Sequence, residues 1–235
     1  MPSRMRLAIF YITAIVFMSA CALTSPAAIQ PTWAPESVAS AITTRSATAQ
    51  NVEGANTYQL TVTANCHTDE QLVGGGFEAG GVFEFALFLH ANYPTNNGWT
   101  VKTDSISHYG VTVYAYCLRG EPSLQTGIVS GVECPAGDTA LSHGSAGNGP
   151  VTLCAAQHVA SVSRATTPFT LDSRTHGYSS QGAQVTCPRG SLALDGGSTI
   201  GLTLASSAMD GFTGWEVSAG GDGAGEVYAN CVTLA

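Results

Sequence analysis

From Thr57 to the C-terminus, apolar residues recur at every second position over short runs. Tyr58-Gln59-Leu60-Thr61-Val62 alternates, and so does Val111-Thr112-Val113-Tyr114-Ala115-Tyr116. A period of two places successive side chains on opposite faces of a half-buried strand. Phe83-Glu84-Phe85-Ala86-Leu87-Phe88-Leu89 is almost continuously apolar and predicts the most buried strand. Clusters of Gly, Asn, Pro and Ser separate these runs at short intervals, and no amphipathic helical period of useful length occurs. The expected class is all-β.

The N-terminal pattern differs. Arg4 and Arg6 precede the apolar run Leu7–Met18, followed by Ser19, Ala20, Cys21 and Ala22. This is the charge, core and small-residue order of a secretory signal over residues 1–21, and the run is shorter than the ~20 residues a membrane-spanning helix needs. Met18-Ser19-Ala20-Cys21 fits a bacterial lipobox, which assigns Cys21 to lipidation and predicts a protein lipid-anchored on the outer side of the cell membrane. Ordinary cleavage after Ala20-Cys21-Ala22 is the alternative, and it predicts a soluble secreted protein. Residues 22–56 are rich in Ala, Ser, Thr and Pro without a sustained period, and read as a tether before a domain over 57–235.

An internal repeat organises that domain. With Cys66, Cys134 and Cys187 aligned, Val73, Leu141 and Leu194 fall seven positions later. Gly74-Gly75-Gly76, Ser142-His143-Gly144 and Asp195-Gly196-Gly197 follow them. Gly98-Trp99 and Gly214-Trp215 then open second halves that close at Tyr114-Ala115-Tyr116-Cys117 and Tyr228-Ala229-Asn230-Cys231. The middle copy is degenerate: Phe169 stands for the Trp, the closing strand runs into Cys187, and Cys154 is extra. Three pseudo-repeated antiparallel units, packed as in a β-prism, are the expected architecture, with a two-sheet β-sandwich as the alternative.

At these residues the chain resembles a Cys-framed repeat, C-P-x-G, then G-G-G, G-W and A-x-C, of uncharacterised exported proteins of Gram-positive bacteria. The resemblance implies compartment and fold rather than chemistry. In layout alone, three Cys-bounded β units are similar to vitelline membrane outer layer protein I, a β-prism of three Greek-key sheets.

Composition narrows the function classes. Seven Cys is an odd number, and assigning Cys21 to lipid leaves six for an oxidising compartment. The repeat selects Cys66–Cys117 and Cys187–Cys231, leaving Cys134–Cys154. Without residues 1–21 the chain carries 16 acidic and 6 basic side chains, a formal charge of −10, with Lys102 its only lysine. No basic stripe exists for phosphates, which argues against a nucleic-acid partner and limits membrane contact to the lipid anchor.

Each candidate site has a plainer reading. Cys66-His67-Thr68-Asp69-Glu70 holds four metal-ligand types, but neighbours on a strand point apart, and a solvated turn is the expectation. Gly220-Gly221-Asp222-Gly223-Ala224-Gly225-Glu226 lacks the carboxylate spacing of a calcium loop and reads as a hairpin connection. The six His are scattered singly, there is no G-x-S-x-G, and no spacing pairs Glu78, Glu84, Asp104 or Asp195 as a glycosidase would require. Trp99 and Trp215 are expected in the core. No catalytic residue, metal or cofactor is expected. The function predicted is a non-catalytic surface or secreted module with a structural role or weak binding to envelope polysaccharide or protein. Tyr93 and Tyr178 are its candidate ligand contacts, and an extracellular hydrolase is the alternative.

Overall fold

The computed structural model describes residues 41–50, 58–80, 87–105, 110–119, 124–156, 159–172, 181–199 and 204–234. These form strands and turns, with no helix among them. The first segment contributes β1 (Ile42–Gln50), β2 (Tyr58–Asn65), β3 (Glu70–Gly80), β4 (Leu87–Thr95), β5 (Gly98–Ser105) and β6 (Gly110–Arg119). The middle segment contributes β7 (Gln125–Ser130), β8 (Asp138–Ser145) and β9 (Pro150–Ala156). The third contributes β10 (Val159–Leu171), β11 (Gln181–Thr186), β12 (Leu192–Ser198), β13 (Leu204–Asp210), β14 (Gly214–Ala219) and β15 (Gly223–Leu234).

They pair into three antiparallel sheets rather than the two of a sandwich. The first sheet has the order β1-β6-β3-β13-β14-β11, the second β2-β5-β4-β8-β9-β7, and the third β10-β15-β12. Both six-stranded sheets are assembled from strands of two segments. The first sheet is joined where β13 meets β3, at Ser206↔Glu78 and Ser207↔Phe77. The second is joined where β4 meets β8, at Asn92↔Ser145. Glycine permits both joins. A Cβ on Gly76 would stand 2.4 Å from the Ser207 carbonyl oxygen, and one on Gly144 would stand 2.4 Å from that of Asn92. Each glycine lies ten residues after its Cys and marks where a strand of another segment passes, whereas the third such glycine, Gly197, faces the Tyr228 ring of its own segment.

The apolar residue seven positions after each Cys also has a structural meaning. The ladders β3–β6, β8–β9 and β12–β15 each carry a register shift there, leaving Val73, Leu141 and Leu194 as the extra residue of a β-bulge. Strands β3, β8 and β12 touch one another, and all three bulged side chains are fully buried in one apolar core.

Trp99 and Trp215 belong to the same core, each 1% exposed. Their indole N–H groups donate to Asn92 Oδ1 (2.5 Å) and Ser207 Oγ (3.0 Å), so burial leaves no indole donor unpaired. Beneath them lie Gly75 and Gly196, nine residues after Cys66 and Cys187, where a Cβ would stand 2.2 Å from Trp99 Cγ and 2.4 Å from Trp215 Cγ. The middle segment has no tryptophan, and the ninth position there is His143.

The bridges Cys66–Cys117, Cys134–Cys154 and Cys187–Cys231 are formed, as the repeat predicts. Cys154 is therefore not an extra cysteine. It occupies on β9 the place that Cys117 holds on β6 and Cys231 on β15. Phe169 is not the counterpart of the tryptophans either: it lies on β10, opposite Gly225 of β15.

Three further expectations are corrected. β1 falls inside the stretch 22–56 read as a tether, yet it pairs with β6 over nine positions from Ile42↔Leu118 to Gln50↔Gly110. The folded domain thus begins by Ile42, while residues 22–40 and Cys21 lie outside the described residues. The run 83–89 is not the most buried strand. Its described part opens β4, where Phe88 is 54% exposed because alternation turns it away from the core; residues 83–86 lie outside the described residues. Gly220–Asp222 is not a hairpin connection, because it carries the chain from β14 in the first sheet to β15 in the third.

Candidate functional site

The first sheet opens a groove of about 290 Å³ where its two halves meet. Its origin is the short join between β3 and β13. These strands pair at two positions only, so beyond Ser207 they part. The Tyr116 side chain reaches from β6 across β3 into the wedge, over Gly74 and Gly76. A Cβ on Gly76 would stand 3.2 Å from the Tyr116 hydroxyl. That hydroxyl accepts the Met209 backbone N–H (2.7 Å), a donor that β3 no longer reaches. The Tyr116 ring meets Trp215 edge-on, with centroids 6.1 Å apart. Burial pushes the phenol of Tyr116 well above its ordinary pKa, so it stays neutral.

Alternation places the remaining lining on the same face. Thr44 lies opposite Tyr116 on β1, and Tyr114 follows two residues along β6. Glu78 projects from β3, and Glu216 lies opposite Ala208 across β13 and β14. The Tyr114 hydroxyl donates to Glu78 Oε2 at 2.8 Å. Partial burial, then this bond, push the Tyr114 phenol up to about 12, so it keeps its proton throughout the physiological range. The turn from β13 to β14 completes the rim with Asp210, Gly211 and Phe212. Gly211 has φ 58°, the left-handed region in which glycine is unstrained. The Phe212 carbonyl accepts the Ala193 N–H (3.0 Å) and holds the turn in place. Asp210 accepts a hydrogen bond from Gln184 Nε2. The lining thus offers two phenols, a phenyl ring and the carboxylates of Glu78, Asp210 and Glu216, with no basic side chain among the described lining residues.

Other polar groups named from the sequence go to different places. Glu70 is buried and takes a bidentate contact from Arg45, with Nη2–Oε1 2.5 Å and Nε–Oε2 3.1 Å, plus the His67 N–H. The Arg45 guanidinium holds the Glu70 carboxyl down at about 2, against desolvation. Glu70 and the sulfurs of Cys66 and Cys117 lie within 4.8 Å of one another. The two sulfurs are spent on their disulfide, so this is not a metal site. Asp195 is nearly buried and accepts Asn230 Nδ2 (2.8 Å) and the His143 N–H (3.2 Å). It also lies 3.7 Å from His143 Nδ1, and this partner raises the pKa of the His143 imidazole. Asp104 pairs with His90 at 2.7 Å on the second sheet.

Tyr93 is half-buried on β4, with Lys102 Nζ 5.9 Å from its ring centre. It belongs to the second sheet and does not line the groove. Tyr178 and Glu84 lie outside the described residues. Of the residues singled out in the sequence, only Glu78 reaches the groove as a candidate for chemistry. The alternation over Val111–Tyr116 predicts a strand without giving Tyr114 or Tyr116 a chemical role, and no motif marks Met209, Asp210, Phe212 or Glu216. The periodicity of Val111–Tyr116 puts Tyr114 and Tyr116 on one face, which was the available signal.

The sequence matches no protein-family profile, and no curated protein is significantly similar to it. The three disulfides suit an extracellular or otherwise oxidising environment.

Proposed function

We propose that this chain is an exported, non-catalytic module built from three repeats of one Cys-framed unit, which binds envelope polysaccharide through the groove of the first sheet. The observation that carries the reading is the groove itself. Aromatic rings beside directional hydrogen-bonding groups, on rigid strands, suit a sugar's apolar face and its hydroxyls together. Equal offsets of bulges and glycines from Cys66, Cys134 and Cys187, each bridged to a cysteine at the same register position of the neighbouring strand, support the repeat. The resemblance to Cys-framed exported repeat proteins is consistent with that compartment.

The test is retention on insoluble envelope polysaccharide. Wild-type protein is expected to be retained, and Tyr114→Ala and Glu216→Ala to weaken retention about tenfold each, at an unfolding midpoint within a few degrees of wild type. Retention unchanged in both variants would remove the groove from the reading. The extracellular hydrolase is the second reading, favoured by three carboxylates at one groove. Turnover of the retained polymer that disappears in Glu78→Gln would establish it instead.

Anchoring is the second part of the proposal. Cys21 carries the lipid, because it is the only cysteine outside the three bridges. Cys21→Ser is expected to move the protein from the membrane fraction to the medium. A wild-type mature N-terminus at Ile29 or later would exclude lipidation at Cys21.

A further inference from the structure

We propose that the groove selects polysaccharide bearing free, protonated amino groups, meaning a de-N-acetylated amino-sugar polymer rather than its N-acetylated form. This deepens the polysaccharide-binding reading and rests on it. Glu78, Asp210 and Glu216 contribute three carboxylates to one small groove, and no described lining residue supplies a cation to balance them. The whole chain is also acidic, with a formal net charge of −8. A neutral sugar would leave those carboxylates to be desolvated without an opposite charge, which costs affinity. An ammonium group provides that charge and three donors, and charge-assisted hydrogen bonds are about twice as strong as neutral ones.

The walls point to a sugar as the bearer of the charge. Tyr114 and Phe212 present ring surface above the buried Tyr116, while Thr44 and Tyr114 bring hydroxyls. The volume is at the low end for small-ligand sites, room for one or two sugar rings. Tyr114 strengthens the selection, because its phenol keeps its proton to about pH 12 and stays bonded to Glu78, fixing that carboxylate in place. A divalent cation fits less well. It would require six to eight convergent oxygens, and among these carboxylates Glu78 is already engaged by Tyr114 and Asp210 by Gln184.

The test is calorimetric titration of the mature protein, at mildly acidic pH and low salt, with a glucosamine oligomer, its fully N-acetylated counterpart and an oligolysine of equal charge. The glucosamine oligomer is expected to bind at least about tenfold tighter than either competitor. Added salt should weaken it, and the preference should fall to near unity in Glu78→Gln and Glu216→Gln, checked for unchanged unfolding midpoints. Equal or tighter binding of the N-acetylated oligomer, lost in Tyr114→Ala, would overturn the amine selection and leave the groove as a polysaccharide site. Oligolysine binding as tightly as glucosamine would overturn selection for a sugar. Absence of binding by both sugar oligomers would overturn the amine proposal and the polysaccharide reading together.

Discussion

Gly75→Ala and Gly196→Ala are each expected to destabilise the domain by about 3 kcal/mol, whereas His143→Ala should cost well under 1 kcal/mol. The three residues stand at one offset, nine positions after Cys66, Cys187 and Cys134. Their surroundings differ in one respect. At Gly75 the nearest atoms to an added methyl are Trp99 Cγ and Cδ2, both at 2.2 Å, and at Gly196 they are Trp215 Cγ at 2.4 Å and the Tyr228 carbonyl oxygen at 2.5 Å. Indole rings with 1% exposure cannot withdraw, because their other sides pack in the core and their N–H groups are bonded. Where there is no tryptophan, the middle segment carries a histidine whose side chain is about half exposed. Denaturant unfolding of the three variants measures the difference. Comparable losses in all three would show that the glycines serve the backbone rather than the rings above them.

The ion pair beneath β1 is expected to produce the second large effect. Arg45→Ala should cost about 3 kcal/mol near neutral pH, because it removes the bidentate partner of the buried Glu70 and leaves only the more distant Arg119, at 3.9 Å. The same interaction sets an acid limit. Glu70 titrates at about 2 in the folded protein, below its ordinary 4.5. The folded state therefore binds fewer protons than the unfolded chain in that interval. The stabilisation is complete above pH ~4.5 and is lost progressively as pH falls toward ~2. Its size is on the order of 3 kcal/mol, since the Glu70 side chain is fully buried and Arg45 only about a quarter exposed. The stability gap between wild type and Arg45→Ala should narrow from neutral pH to about pH 2. A gap of constant size would assign the loss to β1 packing alone.

Much of this fold is visible in the chain because it is written at fixed offsets from cysteine. The apolar residue at the seventh position marks a bulge, and Gly76 and Gly144 at the tenth mark strand joins. The repeat pattern read from the sequence predicts the pairing of Cys66 with Cys117 and of Cys187 with Cys231, and both bridges are formed. β1 escaped because its alternation is carried by small residues. In Ile42-Thr43-Thr44-Arg45-Ser46-Ala47 only Ile42 is fully buried, so its composition matches that of a linker. Strand exchange between segments escaped because pairing partners are tertiary information, and Gly76 names a close approach without naming what approaches. The groove was hidden for the same reason. Tyr116 and Met209 touch across 93 residues, and only the parting of β3 from β13 turns Glu78, Tyr114, Phe212 and Glu216 into one lining.

Backbone amide spectra of the isotope-labelled protein, recorded while an envelope-polysaccharide fragment is added, test the proposed site most directly. Shifts are expected to concentrate at Glu78, Tyr114, Met209 to Phe212 and Glu216, with those of Tyr93 and Lys102 unmoved. Shifts centred on Tyr93 and Lys102, with the groove residues silent, would contradict that expectation and move the ligand to the second sheet.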